Sequence, residues 1–74
     1  MYTVNDLGDV RVYDGVAISP SGYVIGLEVK SGGSPYGGSQ KSFDSRVSLS
    51  NPAMGTGRHK GLTITRVLVI RRTQ

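Results

Sequence analysis

Three stretches of the chain place apolar residues with a period near two, and they predict three strands. From Val10 to Ser19 (VRVYDGVAIS) the positions Val10, Val12, Asp14, Val16 and Ile18 fall on one side, as expected for a strand whose side chains alternate between faces. Tyr23 to Lys30 (YVIGLEVK) is rich in β-branched and aromatic residues and predicts a second strand, with Glu28 and Lys30 on a shared face. Leu62 to Arg72 (LTITRVLVIRR) sets Leu62, Ile64, Arg66, Leu68 and Ile70 against Thr63, Thr65, Val67, Val69 and Arg71. Both of its faces are partly apolar, which suits an interior or partner-covered strand. Between the second and third strands, Ser39 to Leu49 fits about three helical turns, with Gln40, Phe43 and Val47 on one face. Phe43 and Val47 then belong to the core. Met1 to Asp9 is polar and predicts no element, and Asn51 to Gly61 (NPAMGTGRHKG) reads as a loop. Ser31 to Ser39, rich in Gly and Ser, reads as a loop over whatever the second strand presents. The order strand, strand, helix, strand gives an α+β unit: a small mixed β-sheet with one packed helix.

The connection between the first two strands fixes their register. Pro20, Ser21 and Gly22 suit a three-residue hairpin loop, a type I turn followed by a left-handed residue. Proline presets the first turn angle, and Gly22 accepts positive φ without strain. In that register Ser19 faces Tyr23, Val16 lies opposite Gly26, and Asp14 lies opposite Glu28. A loop one residue shorter or longer would send the two acids to opposite faces.

Two carboxylates set against each other repel, and a hard divalent cation turns that repulsion into coordination. Lys30, two residues on from Glu28, places a positive charge where a phosphate under attack would need one. Gly26 leaves a gap on the same face for a substrate backbone. The plainer reading of Glu28 and Lys30 is an alternating pair on a solvated strand face, and Asp14-Gly15 is a common turn pair.

Asp14, thirteen intervening residues, then Glu28-Val29-Lys30 resembles the core signature of the PD-(D/E)XK nuclease superfamily. Ser31-Gly32-Gly33, then Ser34-Pro35-Tyr36, with Gln40 and Asp44 following, is similar to the small nuclease domains at the C-termini of bacterial contact-dependent growth inhibition and related polymorphic toxins. The likeness runs from about Arg11 to Arg72. Tyr13 stands where the superfamily usually has Pro, and the helix that often precedes the first strand has no counterpart before Asp9. The resemblance implies a restriction-endonuclease-like minimal core in residues 1–74, as the C-terminal part of a larger protein. It implies a divalent metal ion, Mg²⁺ first and Mn²⁺ or Zn²⁺ as alternatives, held by Asp14, Glu28 and the Val29 carbonyl. Lys30 would be the catalytic lysine, with Gln40 beside it on the helix. It further implies a DNA or tRNA substrate, DNA favoured slightly, and a cognate immunity protein. Such a toxin is exported by its producer and acts in the cytoplasm of the target bacterium.

Composition narrows the alternatives. With 74 residues, one Phe and no Trp, the chain makes one small domain whose core is marginal. The absence of cysteine excludes disulfides and thiolate zinc sites, and the single histidine excludes a multi-histidine metal site. The longest apolar run, Val67 to Ile70, is too short to span a bilayer, and a soluble domain is expected. The net charge of +4 is unevenly distributed: residues 1–37 carry −2 and residues 38–74 carry +6. An acidic centre beside a basic half suits a metal-dependent enzyme acting on a polyanion. Lys41, Arg58, His59, Lys60, Arg71 and Arg72 are its candidate phosphate contacts, and Asp44 is expected in solvent, with orientation of Gln40 or pairing with Lys41 or Arg46 as its alternative roles. A basic binding module without catalysis, an interaction domain using its strand edges, and a housekeeping or phage nuclease remain as competing classes. Oligomeric state is left open.

Overall fold

The computed structural model describes residues 1–72, and in it the chain forms six strands, one helix and a short 3₁₀ turn. The strands are β1 (Tyr2–Asp6), β2 (Asp9–Tyr13), β3 (Gly15–Ile18), β4 (Val24–Ser31), β5 (Ala53–Gly55) and β6 (Thr63–Arg72). The helix α1 spans Gly38–Arg46. A single mixed sheet runs in the order β2-β1-β5-β6-β4-β3, with β4 and β6 parallel and the other pairs antiparallel. The α+β class, with one helix on a small mixed sheet, is as expected.

The strands β2 and β3 stand at opposite ends of that order, yet only Asp14 joins them. The sheet must therefore curl until its two ends meet. Closure is visible at Gly26, where a Cβ would lie 3.0 Å from two carbons of the Tyr13 ring. The gap expected for a substrate backbone at Gly26 is thus filled by Tyr13 of the facing strand. Inside the curl lie Val4, Tyr13, Ala53 and Ile64, closed over by Phe43 from α1, with Tyr2, Val16, Val24, Val47, Leu62 and Val67 packed around them.

The predicted hairpin forms as expected. The Ser19 N–H donates to the Tyr23 carbonyl, the Gly22 N–H to the Ser19 carbonyl, and Gly22 has a φ of 88°. Val16 pairs with Gly26 and Gly15 with Leu27. The single strand expected from Val10 to Ser19 is instead two, because the chain bends at Asp14. The alternation also has the opposite sense in β2: Val10 and Val12 are exposed, while Arg11 and Tyr13 point inward and are buried.

The polar N-terminus, expected to form no element, is β1. Its inward positions are Val4 and Asp6, and Leu7 and Gly8 turn the chain back with φ of 52° and 87°. Positive φ at both central residues is the geometry that matches the twist of a two-residue hairpin. The helix is shorter than expected, since Val47 is already extended. The Asn51 side-chain amide donates to the Arg46 carbonyl at 2.8 Å, and reciprocal main-chain bonds between Ser48 and Asn51 fold the chain away. The expected loop from Asn51 to Gly61 contains β5 and the 3₁₀ turn Gly57–His59. Gly55 is required there: a Cβ would run into the main chain of His59 and lie 2.9 Å from the Leu62 Cβ. The strand β6 sits between β5 and β4, as its two partly apolar faces suggested.

Candidate active site

Glu28 and Lys30 share the inward face of β4, as strand parity requires, and α1 brings Gln40 to them. Lys30 Nζ donates to Gln40 Oε1 at 3.0 Å and lies 3.5 Å from Glu28 Oε2. Glu28 is 6 % exposed, so this is a buried acid rather than one side of a solvated strand pair. Asp14 arrives differently from the expected cross-strand pairing. The β3–β4 ladder stops at Gly15, and the Asp14 N–H donates to the Leu27 carbonyl. Its exposed carboxylate accepts a 2.8 Å bond from the Val29 N–H through Oδ2. That bond caps the edge of β4 just where β3 has ended. The Val29 carbonyl, on the same side of the strand as its N–H, lies along the same edge.

Beneath Glu28 is a charge array that centres on Arg11 of β2. Its Nη1 donates to Glu28 Oε1 at 2.9 Å and to the Val12 carbonyl at 2.9 Å. Its Nε and Nη2 clasp Asp44 Oδ1 and Oδ2 at 3.1 and 3.0 Å. Asp44 also accepts from the hydroxyls of Tyr13 and Tyr36, one on each oxygen. Asp44 is therefore buried on α1 and does not pair with Lys41 or Arg46, as sequence reasoning expected. Burial works against the charge on Arg11, but its bonds to Asp44 and Glu28 outweigh that, and its pKa is held above the ordinary value. Burial, reinforced by the bond to Asp44, pushes the Tyr36 phenol up to about 12 and the Tyr13 phenol higher still. Among the described residues, no buried side-chain nitrogen or oxygen lacks a hydrogen-bond partner.

Arg11, Tyr13 and Tyr36 are members of the site that sequence reasoning missed. The signal available was that Arg11 and Tyr13 share a face of β2, and Val10 and Val12, alternating with them, were the louder pattern.

The remaining basic candidates fall into two groups. Arg71 lies beside Lys30 across the β4–β6 ladder and donates to the Ser34 carbonyl, and Gly32 N–H donates to the Arg72 carbonyl at 2.7 Å. These contacts, with Tyr36 on Asp44, tie the Ser31–Ser39 loop down at the rim of the site. Lys41 is exposed on α1. Arg58, His59 and Lys60 follow β5, which β6 separates from β4 in the strand order. The His59 ring lies 4.9 Å from that of Tyr2, tilted by 42°. A cleft of about 370 Å³ between β2 and α1 is lined by Arg11, Val12, Gln40 and Phe43 among others, and does not include Lys30, Glu28 or Asp14.

Among the described residues, no group of three or more His, Cys, Asp or Glu side chains is placed to hold a metal ion. The expected set is divided: Asp14 and the Val29 carbonyl lie along the β4 edge, and Glu28 lies on the inward face of the strand. Asp14 has one oxygen on Val29, and Glu28 has Oε1 on Arg11 and Oε2 3.5 Å from the Lys30 ammonium. Such a set of oxygens fits Mg²⁺ or Mn²⁺, of which Mg²⁺ is commonly held through one or two carboxylates and otherwise keeps its waters. It fits Zn²⁺, with its preference for imidazole and thiolate, less well. No protein-family model, curated protein or solved structure matches the chain. No helix among the described residues is long and apolar enough to cross a membrane.

Proposed function

We propose that the chain hydrolyses phosphodiester bonds in nucleic acid with the aid of a divalent cation, as the toxin domain of an interbacterial system whose producer carries an immunity protein. The observation that carries this reading is the convergence of Glu28, Lys30 and Gln40, drawn from β4 and α1, with Asp14 bonded to the intervening Val29. Asp14, Glu28 and the Val29 carbonyl would hold the cation. When bound, it would supply Lewis acidity and a water more easily deprotonated than bulk water.

The chain's own contribution begins with Lys30. Gln40 holds its ammonium by a bond that leaves the charge intact, so a fixed positive charge stands beside the acid for the phosphate to approach. Arg71 adds a second positive charge on β6, directly across the ladder from Lys30, and the basic C-terminal half raises the local concentration of a polyanion. DNA is favoured over tRNA as the substrate. Reading splayed single-stranded bases calls for several aromatic faces, whereas Tyr13 and Tyr36 are committed to Asp44 and Tyr2 to His59, which leaves Tyr23 exposed by itself.

The test is incubation of the purified chain with plasmid DNA and, separately, with total tRNA, in Mg²⁺, Mn²⁺ or chelator. Metal-dependent cutting that falls by about 10²–10³-fold in both Glu28→Ala and Lys30→Ala is the expected result. Folded protein that binds either polymer equally well in all three forms and cuts neither would leave a basic binding module in its place.

A further inference from the structure

The side chain of Arg11 is 5 % exposed, and those of the two carboxylates it holds, Glu28 and Asp44, are 8 % and 4 % exposed. Three buried charges are an expensive way to fill a small core. An apolar trio of similar volume is commonly as stable or more so, so stability alone is a weak reason for such an array. What the array supplies that an apolar trio could not is direction. Asp44 is fixed from four sides, by Nε and Nη2 of Arg11 and by the hydroxyls of Tyr13 and Tyr36. With both ends of Asp44 held, the plane of the guanidinium is set, and its remaining nitrogen, Nη1, is anchored between the Val12 carbonyl and Glu28 Oε1. One oxygen of Glu28 is thereby pinned, and the other is left on the Lys30 side at 3.5 Å.

We propose that Arg11 is a positioning residue for Glu28, and that Asp44, with Tyr13 and Tyr36, is the base on which Arg11 is mounted. The inference rests on the reading of Glu28 as an acid of a phosphodiester-cleaving site. Arg11 touches neither the substrate nor the cation in this scheme; it decides which Glu28 oxygen is free to face them. A lysine would keep the charge but could not clasp Asp44 through two nitrogens while reaching Glu28 with a third.

The experiment compares the full chain with Arg11→Lys, Arg11→Met and Asp44→Asn. Folding is followed by circular dichroism, plasmid cleavage by kcat and KM, and the Glu28 side-chain carboxyl carbon by NMR, with and without Mg²⁺. In variants that remain folded, kcat falls about 10–100-fold while KM for DNA stays within about twofold, and the Glu28 resonance moves. Arg11→Lys or Asp44→Asn that is folded, cuts at the wild-type rate and leaves the Glu28 resonance in place overturns the proposal. Should Arg11→Met fail to fold, those two milder changes decide. Should the wild-type chain cut neither polymer, the nuclease reading falls, and the Glu28 resonance still decides the other question. Its displacement in Arg11→Lys supports positioning by Arg11, and its constancy there refutes it.

Discussion

Arg11 and Arg46 are built to the same plan and placed in different surroundings. Each is one guanidinium between two carboxylates, each joins α1 to strands, and each lies over an aromatic ring. Arg11 stands 4.5 Å from the Tyr13 centroid and Arg46 5.3 Å from that of Phe43. Arg46 reaches Asp6 at 3.1 Å and Asp9 at 3.0 Å, but its side chain is 34 % exposed and that of Asp9 68 %. The bond to Asp6 is the main reason its pKa is raised. The Arg46 cluster is a clasp at the protein's rim: water can replace its bond to Asp9, while Asp6, 5 % exposed, keeps Asn51 when Arg46 is removed. Arg11 is shut off from solvent, so cutting that array leaves Asp44 buried with no cation and Glu28 with Lys30 alone. Identical chemistry therefore gives a surface fastening in one place and a determinant of the interior in the other.

The contrast is sharpest in stability. Arg11→Met should cost about 3–5 kcal/mol, because it leaves Asp44 buried with no cation and Glu28 buried with Lys30 alone. That is a large part of the roughly 4–11 kcal/mol to be expected of a chain this long. Arg46→Met should cost less in the same urea titration, because Asp9 is exposed and the buried Asp6 keeps Asn51. Equal losses from the two would break the comparison. Gly26→Ala probes the same region from the other side. The new methyl presses on the Tyr13 ring beneath Asp44, and a destabilisation of about 1–3 kcal/mol is expected, with near-UV circular dichroism reporting the displaced tyrosine.

High pH separates the two clusters further, since only the Arg11 array contains phenols. Both have pKa values raised on folding, so the folded chain keeps protons that the unfolded chain begins to give up near pH 10. Their contribution is complete below about pH 10 and is lost as pH rises toward and beyond 12. The melting temperature should fall over that range, and Tyr36→Phe should flatten the fall without removing it, because Tyr13 remains. A wild-type melting temperature that is flat from pH 9 to 12 would contradict this.

Salt gives the smallest effect. Raising ionic strength from about 0.1 to 1 M shortens the screening length from about 10 to 3 Å. The gap between wild type and Arg46→Met should narrow with added salt, while the gap to Arg11→Met holds. Parallel narrowing of both gaps would mean that Arg11 is less sheltered than its surroundings indicate.

Much of the hairpin was legible from residue types. Pro20-Ser21-Gly22 specified its loop, the loop specified that Val16 meets Gly26, and strand parity placed Glu28 with Lys30. Local geometry is enough for such features, since a turn and a two-residue period involve neighbours only. The strand β1 was hidden because its inward positions include Asp6, an acid that is acceptable there only because Arg46 and Asn51 reach it from residues far along the chain. Its turn was hidden too, since Leu7 sits where Asn or Gly would announce positive φ. Asp44 looked like a solvated helix residue for a related reason: nothing within a helical turn of it reveals Arg11, 33 positions earlier.

The sequence by itself determined which residues share a face: Glu28 with Lys30 on β4, Arg11 with Tyr13 on β2, and Val10 with Val12 on its other side. Only the tertiary structure decided which of those faces turns inward. Alternation fixes relative orientation along a strand and carries no sign, so hydrophobicity had to guess it, and at β2 the guess fails. The sign is set by closure of the sheet across Asp14. That closure carries β2 over β4 and under α1, where a guanidinium meets two carboxylates, and a valine in its place would leave Asp44 with only the two phenols and Glu28 with only Lys30.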